Sequence, residues 1–336
     1  MIMFWVMLLA ISILIYVLLD GFDLGIGILF GVTADEPRRH AMISAVAPIW
    51  DGNETWLVVS CVILWGAFPV VYSVLMSAFY LPVLLMLAGL ILRGVAFEFR
   101  SKAERMRWIW NASFAGGSFV AAFTQGLMVG ALVEGLPLSD GRYVGGEFGW
   151  FGPFAVLCGI GLCVGYALLG ACWLVRKCDE EVRDQAYRLI PYLSAALLVF
   201  LIVVFVYALA RDFAVMTRWL DRPFLFVLPV VGALAVIALA ASVHRRQDAL
   251  PFPMVVVIFV AAFGTLAISF WPYMIPFSIT IEQAAAPHSS LAFMFWGAGL
   301  FVFPLMLLYT VISLTVFKDK VATPTTGIRT EGLGKQ

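Results

Sequence analysis

Long apolar runs, broken by short charged or Pro/Gly-rich stretches, set the rhythm of this chain. Cutting at those breaks leaves apolar segments at about 4–30, 53–70, 74–97, 112–133, 150–175, 190–210, 223–243, 253–271 and 291–317. Each approaches the ~20 residues that a helix needs to cross hydrocarbon. Apart from a closed barrel, any other route through lipid leaves backbone groups unpaired, so the pattern predicts nine transmembrane helices. One boundary is compressed: between the second and third spans, Phe68-Pro69-Val70-Val71-Tyr72-Ser73 must make the whole turn.

Composition strengthens this reading. The 336 residues are 63% hydrophobic and 12% charged, with a mean hydropathy of +1.00, whereas soluble domains are roughly 25% charged. The expectation is a single all-α polytopic domain over 1–317 with a tail at 318–336. No stretch can form a soluble nucleotide-binding module, and a formal net charge of zero gives no reason to expect a nucleic-acid partner. Alternating the loops across the bilayer puts 17 of the 21 Lys and Arg on one side and only Arg142, Arg211, Arg218 and Arg222 on the other. The positive-inside rule makes the first side cytoplasmic, with the N-terminus outside and the C-terminus inside. The first span lacks the basic n-region and cleavage pattern of a signal peptide. The tail, with Thr323-Pro324-Thr325-Thr326-Gly327, has linker chemistry and is expected to be flexible.

Against that apolar background the ionisable residues stand out, because charge inside a membrane marks function or demands a partner. The first span carries Asp20-Gly21-Phe22-Asp23-Leu24-Gly25. The second opens with Pro48-Ile49-Trp50-Asp51-Gly52-Asn53-Glu54-Thr55-Trp56-Leu57, and the third ends in Arg93-Gly94-Val95-Ala96-Phe97-Glu98-Phe99-Arg100. Asp20 and Asp23 share a helical face with Tyr16 and Gly27. A helix starting near Phe4 puts Asp20 about 24 Å along its axis, in the cytoplasmic half. These acids could simply pair with a neighbouring arginine while the glycines pack helices closely. Asp51 and Glu54 also fit a capping box, with Asp51 accepting first-turn amides and Glu54 reaching back. Arg93 and Arg100 fall on nearly one face. Arg100, Lys102, Arg105 and Arg107 read as a cytoplasmic anchor, while the deeper Arg93 and Glu98 require partners, which Asp20, Asp23 and Asp51 could supply.

Together these three strings resemble subunit II of the cytochrome bd-type quinol oxidases. The resemblance continues in Trp271-Pro272-Tyr273-Met274-Ile275-Pro276 and Thr280-Ile281-Glu282-Gln283-Ala284-Ala285, and so covers most of the chain. It implies a subunit of a bacterial inner-membrane terminal oxidase that reduces oxygen with quinol, paired with a subunit I that carries the b-type haems and haem d. It further implies that Asp20, Asp51, Arg93 and Glu98 form a cytoplasmic proton-intake path along the boundary with subunit I. Asp23, Trp50, Asn53, Glu54, Trp56 and Arg100 would support that path. Position 98 is Glu where some relatives have Asp, which keeps the chemistry and lengthens the reach. The resemblance leaves open a structurally bound quinone and small single-helix accessory subunits.

Other residues bear on cofactors. His40, His244 and His288 all fall in loops or at helix ends, whereas haem at mid-depth needs axial ligands inside helices. The chain is therefore expected to bind no haem itself, and no metal. Cys61, Cys158, Cys163, Cys172 and Cys178 form no CxxC pair and read as small apolar packing. Thr124 and Gln125 read as helix-to-helix hydrogen bonds, and Trp150, Trp219, Trp271 and Tyr273 as an interfacial aromatic belt. Glu282 and His288 read as residues that fix an outer loop. Gly165-Tyr166-Ala167-Leu168-Leu169-Gly170 echoes the glycine-flanked string of the first span. This suggests two four-helix bundles, about 1–135 and 150–317, plus one peripheral helix. Such a repeat also fits a proton-coupled secondary transporter, though transporters place ion ligands in both halves and here the charges occupy only the first. A purely structural assembly subunit is the other alternative.

Overall fold

A computed structural model describes residues 1–103, 105–210, 223–317 and 319–321. Apolar length dictates its elements. α1 runs over Ile2–Val32, followed by α2 (Glu36–Ser44), α3 (Trp50–Ala67), α4 (Pro69–Ala78), α5 (Tyr80–Phe99), α6 (Arg107–Glu134), α7 (Pro153–Lys177) and α8 (Glu180–Ala210). After 223 come α9 (Val227–His244), α10 (Pro251–Phe270), the short α11 (Ile281–Ala284), α12 (His288–Met294), a π-helical turn at Phe295–Gly299 and α13 (Val302–Val316). Among the described residues eight helices are long and apolar enough to cross a membrane, and nine candidate spans result if the bent pair of α3 and α4 counts as one. Arg211, Arg218, Arg222 and Trp219 lie outside the described residues.

The compressed turn resolves differently from the expectation. Phe68-Pro69 is an elbow of 119°, after which Pro69–Ala78 forms its own helix and the next span starts only at Tyr80. Pro69 has no amide hydrogen to continue α3 and pushes the residue before it out of helical geometry, and Phe68 sits at φ −134°, ψ 58°. As the first residue of α4, the same proline costs nothing.

Glycine sets the helix crossings at the centre. A Cβ on Gly25 would lie 1.7 Å from the carbonyl oxygen of Tyr166, and one on Gly170 would lie 2.7 Å from the amide nitrogen of Ile26. The two similar glycine-flanked strings therefore press directly on each other, backbone against backbone, where α1 crosses α7. A second crossing joins α5 to α6 through Gly89 and Gly117, each of which would drive a Cβ into the other's carbonyl. Around the first crossing Phe22 stacks on Trp173, with ring centroids 4.2 Å apart. α13 buries none of its residues, and α9 buries only Ala235, Leu239 and Ser242. Their exposed apolar faces suit contact with lipid or another subunit.

One end of the bundle is laced by ion pairs between helix ends and loops. Arg38 meets Glu181 at 3.1 Å, Arg100 meets Glu36 at 2.7 Å, Arg183 meets Asp248 at 3.3 Å and Lys320 meets Asp179 at 3.0 Å. These residues belong to the side that the charge count makes cytoplasmic. The first described residues of the tail are hydrogen-bonded to the end of α7. The Val321 amide donates to the Lys177 carbonyl at 2.7 Å, and the Lys177 ammonium donates to the carbonyls of Phe317 and Asp319. The expectation of a flexible linker for residues 322–336 lies outside the described residues. On the opposite face lie two small hairpins, β1 (Leu138–Ser139) with β2 (Arg142–Tyr143) and β3 (Tyr273–Ile275) with β4 (Ile279–Thr280). In that outer loop Thr280 and Gln283 form a capping box.

Candidate functional site

The charged strings of the first three spans meet, in part, inside the protein. Asp20 and Asp23 are fully buried on α1, far enough along its 31 residues to lie in the cytoplasmic half. Arg93 comes from α5, where the Gly89–Gly117 crossing brings α6 close enough to enclose it completely. One nitrogen, Nη2, donates to Asp20 Oδ1 at 2.7 Å and to Glu54 Oε2 at 3.1 Å. Asn53 Nδ2 donates to Asp23 Oδ2 at 2.8 Å. Residues 53 and 54, adjacent on α3, thus serve the two acids of α1. Asp20 Oδ2, Asp23 Oδ1 and Arg93 Nε and Nη1 are buried with no protein partner. Arg93 is thus shared by two carboxylates, Asp20 and Glu54, while Asp23, the third acid of the cluster, is held by an amide.

A neutral chain of hydrogen bonds continues from this cluster towards the middle of the membrane. Tyr16 lies one turn before Asp20 on the same face. Tyr166 of α7 donates through its hydroxyl to Gln125 Oε1 at 2.9 Å, and Gln125 Nε2 donates to the Tyr16 hydroxyl oxygen at 2.8 Å. Three helices are joined this way. The helix-to-helix role expected of Gln125 is what the structure contains. Thr124 differs, because its hydroxyl is spent on the Val120 and Ala121 carbonyls of its own helix.

Asp51 and Glu98 do not join the cluster. Asp51 is exposed in the first turn of α3, whose start has no side-chain cap, so neither it nor Glu54 acts as a capping box. Glu54 is drawn instead to Arg93. Glu98 has a side chain 70% accessible, and its nearest cation is Lys102 at 3.9 Å. Helical phase explains this: five residues beyond Arg93 is about 140° around the helix, away from the face that Arg93 buries. Arg100 departs in the other direction. Rather than anchoring freely at the membrane surface, it is buried, donates to Glu36 at 2.7 Å and Asn111 at 2.6 Å, and lies over the Phe30 ring at 5.2 Å.

The tryptophans of the Asp51 string work as wedges. Trp50 stacks on Phe97 with centroids 4.9 Å apart and rests on Gly94, while buried Trp56 donates to the Thr310 hydroxyl at 3.1 Å. Trp150 is not part of a belt, being buried with its indole N–H on the Glu147 carbonyl at 2.7 Å, whereas Trp271 is half exposed.

Sequence reasoning missed the partner of Glu54 and the pairing of Glu36 with Arg100. The sequence signal for the first was the i, i+3 spacing of Asp51 and Glu54, which a cap and a buried pair share. At the cytoplasmic face burial pushes the Glu36 carboxyl up, but hydrogen bonds from Arg39 and Asn111 and the charges of Arg100 and Arg39 outweigh it and hold it below the usual carboxylate range.

As for cofactors, His40 lies in α2, His244 is the last residue of α9 and His288 the first of α12. This set does not fit axial ligation of a haem at mid-depth. Cys163, Cys172 and Cys178 are buried as packing.

A family model described as cytochrome bd terminal oxidase subunit II matches residues 1–317. The chain is 28% identical over 347 residues to the cytochrome bd-I ubiquinol oxidase subunit 2 of Escherichia coli, covering 91% of each. It is 24% identical to the cytochrome bd ubiquinol oxidase subunit 2 of Bacillus subtilis, covering 95% of this chain and 96% of that one. A chain in the structure of the bd oxidase from Geobacillus thermodenitrificans superposes with a TM-score of 0.77 at 16% identity, over 94% of this chain and 96% of that one.

Proposed function

This chain belongs to the cytochrome bd terminal oxidase subunit II family, and on that premise we propose that it is the haem-free subunit of a quinol oxidase and admits protons from the cytoplasm. As subunit II it is a multi-pass membrane component of a bacterial respiratory oxidase that also contains a subunit I. The b-type haems and haem d, which supply the electron transfer to oxygen, are assigned to subunit I. The peripheral histidines of this chain support that division of labour.

The chemistry of its own residues supports the rest. Reducing oxygen to water consumes protons. If these come from the cytoplasm while quinol releases its protons outside, the reaction separates charge across the membrane. A path inward needs groups that hold a proton inside hydrocarbon, and carboxylates near a fixed positive charge do this. Arg93 provides the charge, since a guanidinium stays protonated throughout. Asp20 and Asp23 provide the buried carboxylates. Asp51 and Glu98, exposed on this chain, would collect protons where it borders water or subunit I. The observation that carries the reading is two carboxylates, Asp20 of α1 and Glu54 of α3, converging on one buried arginine, with the buried Asp23 beside them on α1.

The test is purification of the native complex with an absorption spectrum and identification of the co-purifying chain. Haem b and d bands arriving with a second large membrane subunit are expected. A pyridine haemochrome assay of this chain expressed by itself should show no stoichiometric haem. One haem per chain, lost on changing a specific His or Met, would overturn the assignment to subunit I.

A further inference from the structure

Glu54 and Asp20 accept from the same nitrogen of Arg93, at 3.1 and 2.7 Å. Their accepting oxygens therefore stand within about 6 Å of each other, a gap that a single bridging water spans. The Asp20 side chain has no accessible surface, whereas that of Glu54 is 24% accessible. Among the described residues Glu54 is the one carboxylate that both reaches the surface and shares a partner with the buried acid. Asp20 also keeps an oxygen, Oδ2, that is buried and has no protein partner.

We propose that Glu54 is a proton relay that positions and loads Asp20, taking its proton at the surface of the chain and passing it inward. The inference rests on the proton-intake reading. The step conserves charge: the Glu54 carboxylic acid gives its proton, directly or through one water, to the Asp20 carboxylate. Glu54 is left as the anion, still held by Arg93 Nη2, and regains a proton from the cytoplasmic side. Arg93 cannot carry the proton itself, because its guanidinium is not deprotonated in proteins. It supplies a counter-charge common to both acids, so that moving the proton from one to the other leaves the net charge around it unchanged. The charged groups facing Glu54 are Asp51 on its own helix, Asp20 and Asp23 on α1, and Arg93 on α5. Over the same turn of α3 lies the ring of Tyr309 from α13, in contact with Gly52.

The experiment compares Glu54→Gln, Glu54→Asp and Asp20→Asn in the complete oxidase reconstituted in vesicles, with oxygen uptake and proton uptake measured across pH at equal haem content. Gln keeps an acceptor for Arg93 but cannot exchange a proton. Glu54→Gln is expected to slow turnover about tenfold or more, most severely at alkaline pH where protons are scarce. Glu54→Asp should restore an intermediate rate with a shifted alkaline limb. Should Glu54→Gln fail to assemble, the Glu54→Asp profile decides: a shifted limb supports the relay, and a wild-type profile overturns it. Wild-type turnover and pH profile in Glu54→Gln, alongside a slow Asp20→Asn, would overturn the role of Glu54 and leave the intake path standing. Wild-type behaviour in both Glu54→Gln and Asp20→Asn would overturn the intake path as well.

Discussion

Arg93 and Asp20 meet at 2.7 Å with neither side chain reaching the surface. A pair so enclosed behaves differently from one at an interface, because removing either member leaves a bare charge in low dielectric, typically at a cost of about 3–5 kcal/mol.

Arg93→Leu should therefore reduce recovery of haem-containing complex far more than Arg100→Leu. Both arginines are buried, but they differ in what they leave behind. Losing Arg93 strands Asp20 and Glu54 together, whereas Glu36, the partner of Arg100, is 42% accessible and turns to water. Complex recovered from membranes at matched expression measures this, and equal recovery would sink the idea that Arg93 neutralises the cluster.

Gly25→Ala should abolish assembly, because the added Cβ would meet backbone that cannot rotate away. Gly116→Ala, one residue from the α5–α6 crossing, has nothing within 4 Å and should be tolerated. Detergent-solubilised complex resolved by size-exclusion chromatography separates the two.

Asp51→Asn is expected to leave assembly intact and to slow oxygen reduction and proton uptake, compared at equal haem content. Since α3 has no side-chain cap, its start gives no structural reason for the substitution to matter. A normal rate would remove Asp51 from the intake path.

Glu36 gives a pH dependence with a definite sign. Its carboxyl is held below the usual range, so its stabilisation is complete above the unfolded value of about 4.3 and disappears as pH falls through the lower native value. Thermal denaturation of wild type and Glu36→Gln should differ at pH 7 and converge on acidification. The difference should be no more than about 1 kcal/mol, given how exposed the side chain is. A gap that widens in acid would contradict the sign.

Much of the fold was legible because lipid leaves the backbone few choices. Segment lengths pointed to the eight or nine candidate spans, and charge asymmetry to the end where Arg38 and Lys320 gather. The Phe68 elbow was not legible, since a short apolar stretch beginning with proline suits a turn and a helix start equally. For the site, the deep position of Arg93 guaranteed acidic partners and Asp20 was among those expected. Helical phase was decisive for Glu98, whose depth suggested burial while its angle around α5 turned it outward. Glu54 was hidden by ambiguity: its spacing from Asp51 satisfied a local capping pattern, and its actual partner, 39 residues away, left no mark in the neighbouring sequence.

The crossing of Gly25 against the Tyr166 carbonyl has a mechanical meaning. Alternating access needs one half of a protein to rock against the other, and backbones interlocked without an intervening side chain resist sliding, because any shift drives main-chain atoms into each other. Such a crossing favours α1 and α7 moving together. On the proposed intake reading, a proton passing along α1 would need no rocking of helices, only side-chain rotation and the hopping of hydrogen between oxygens.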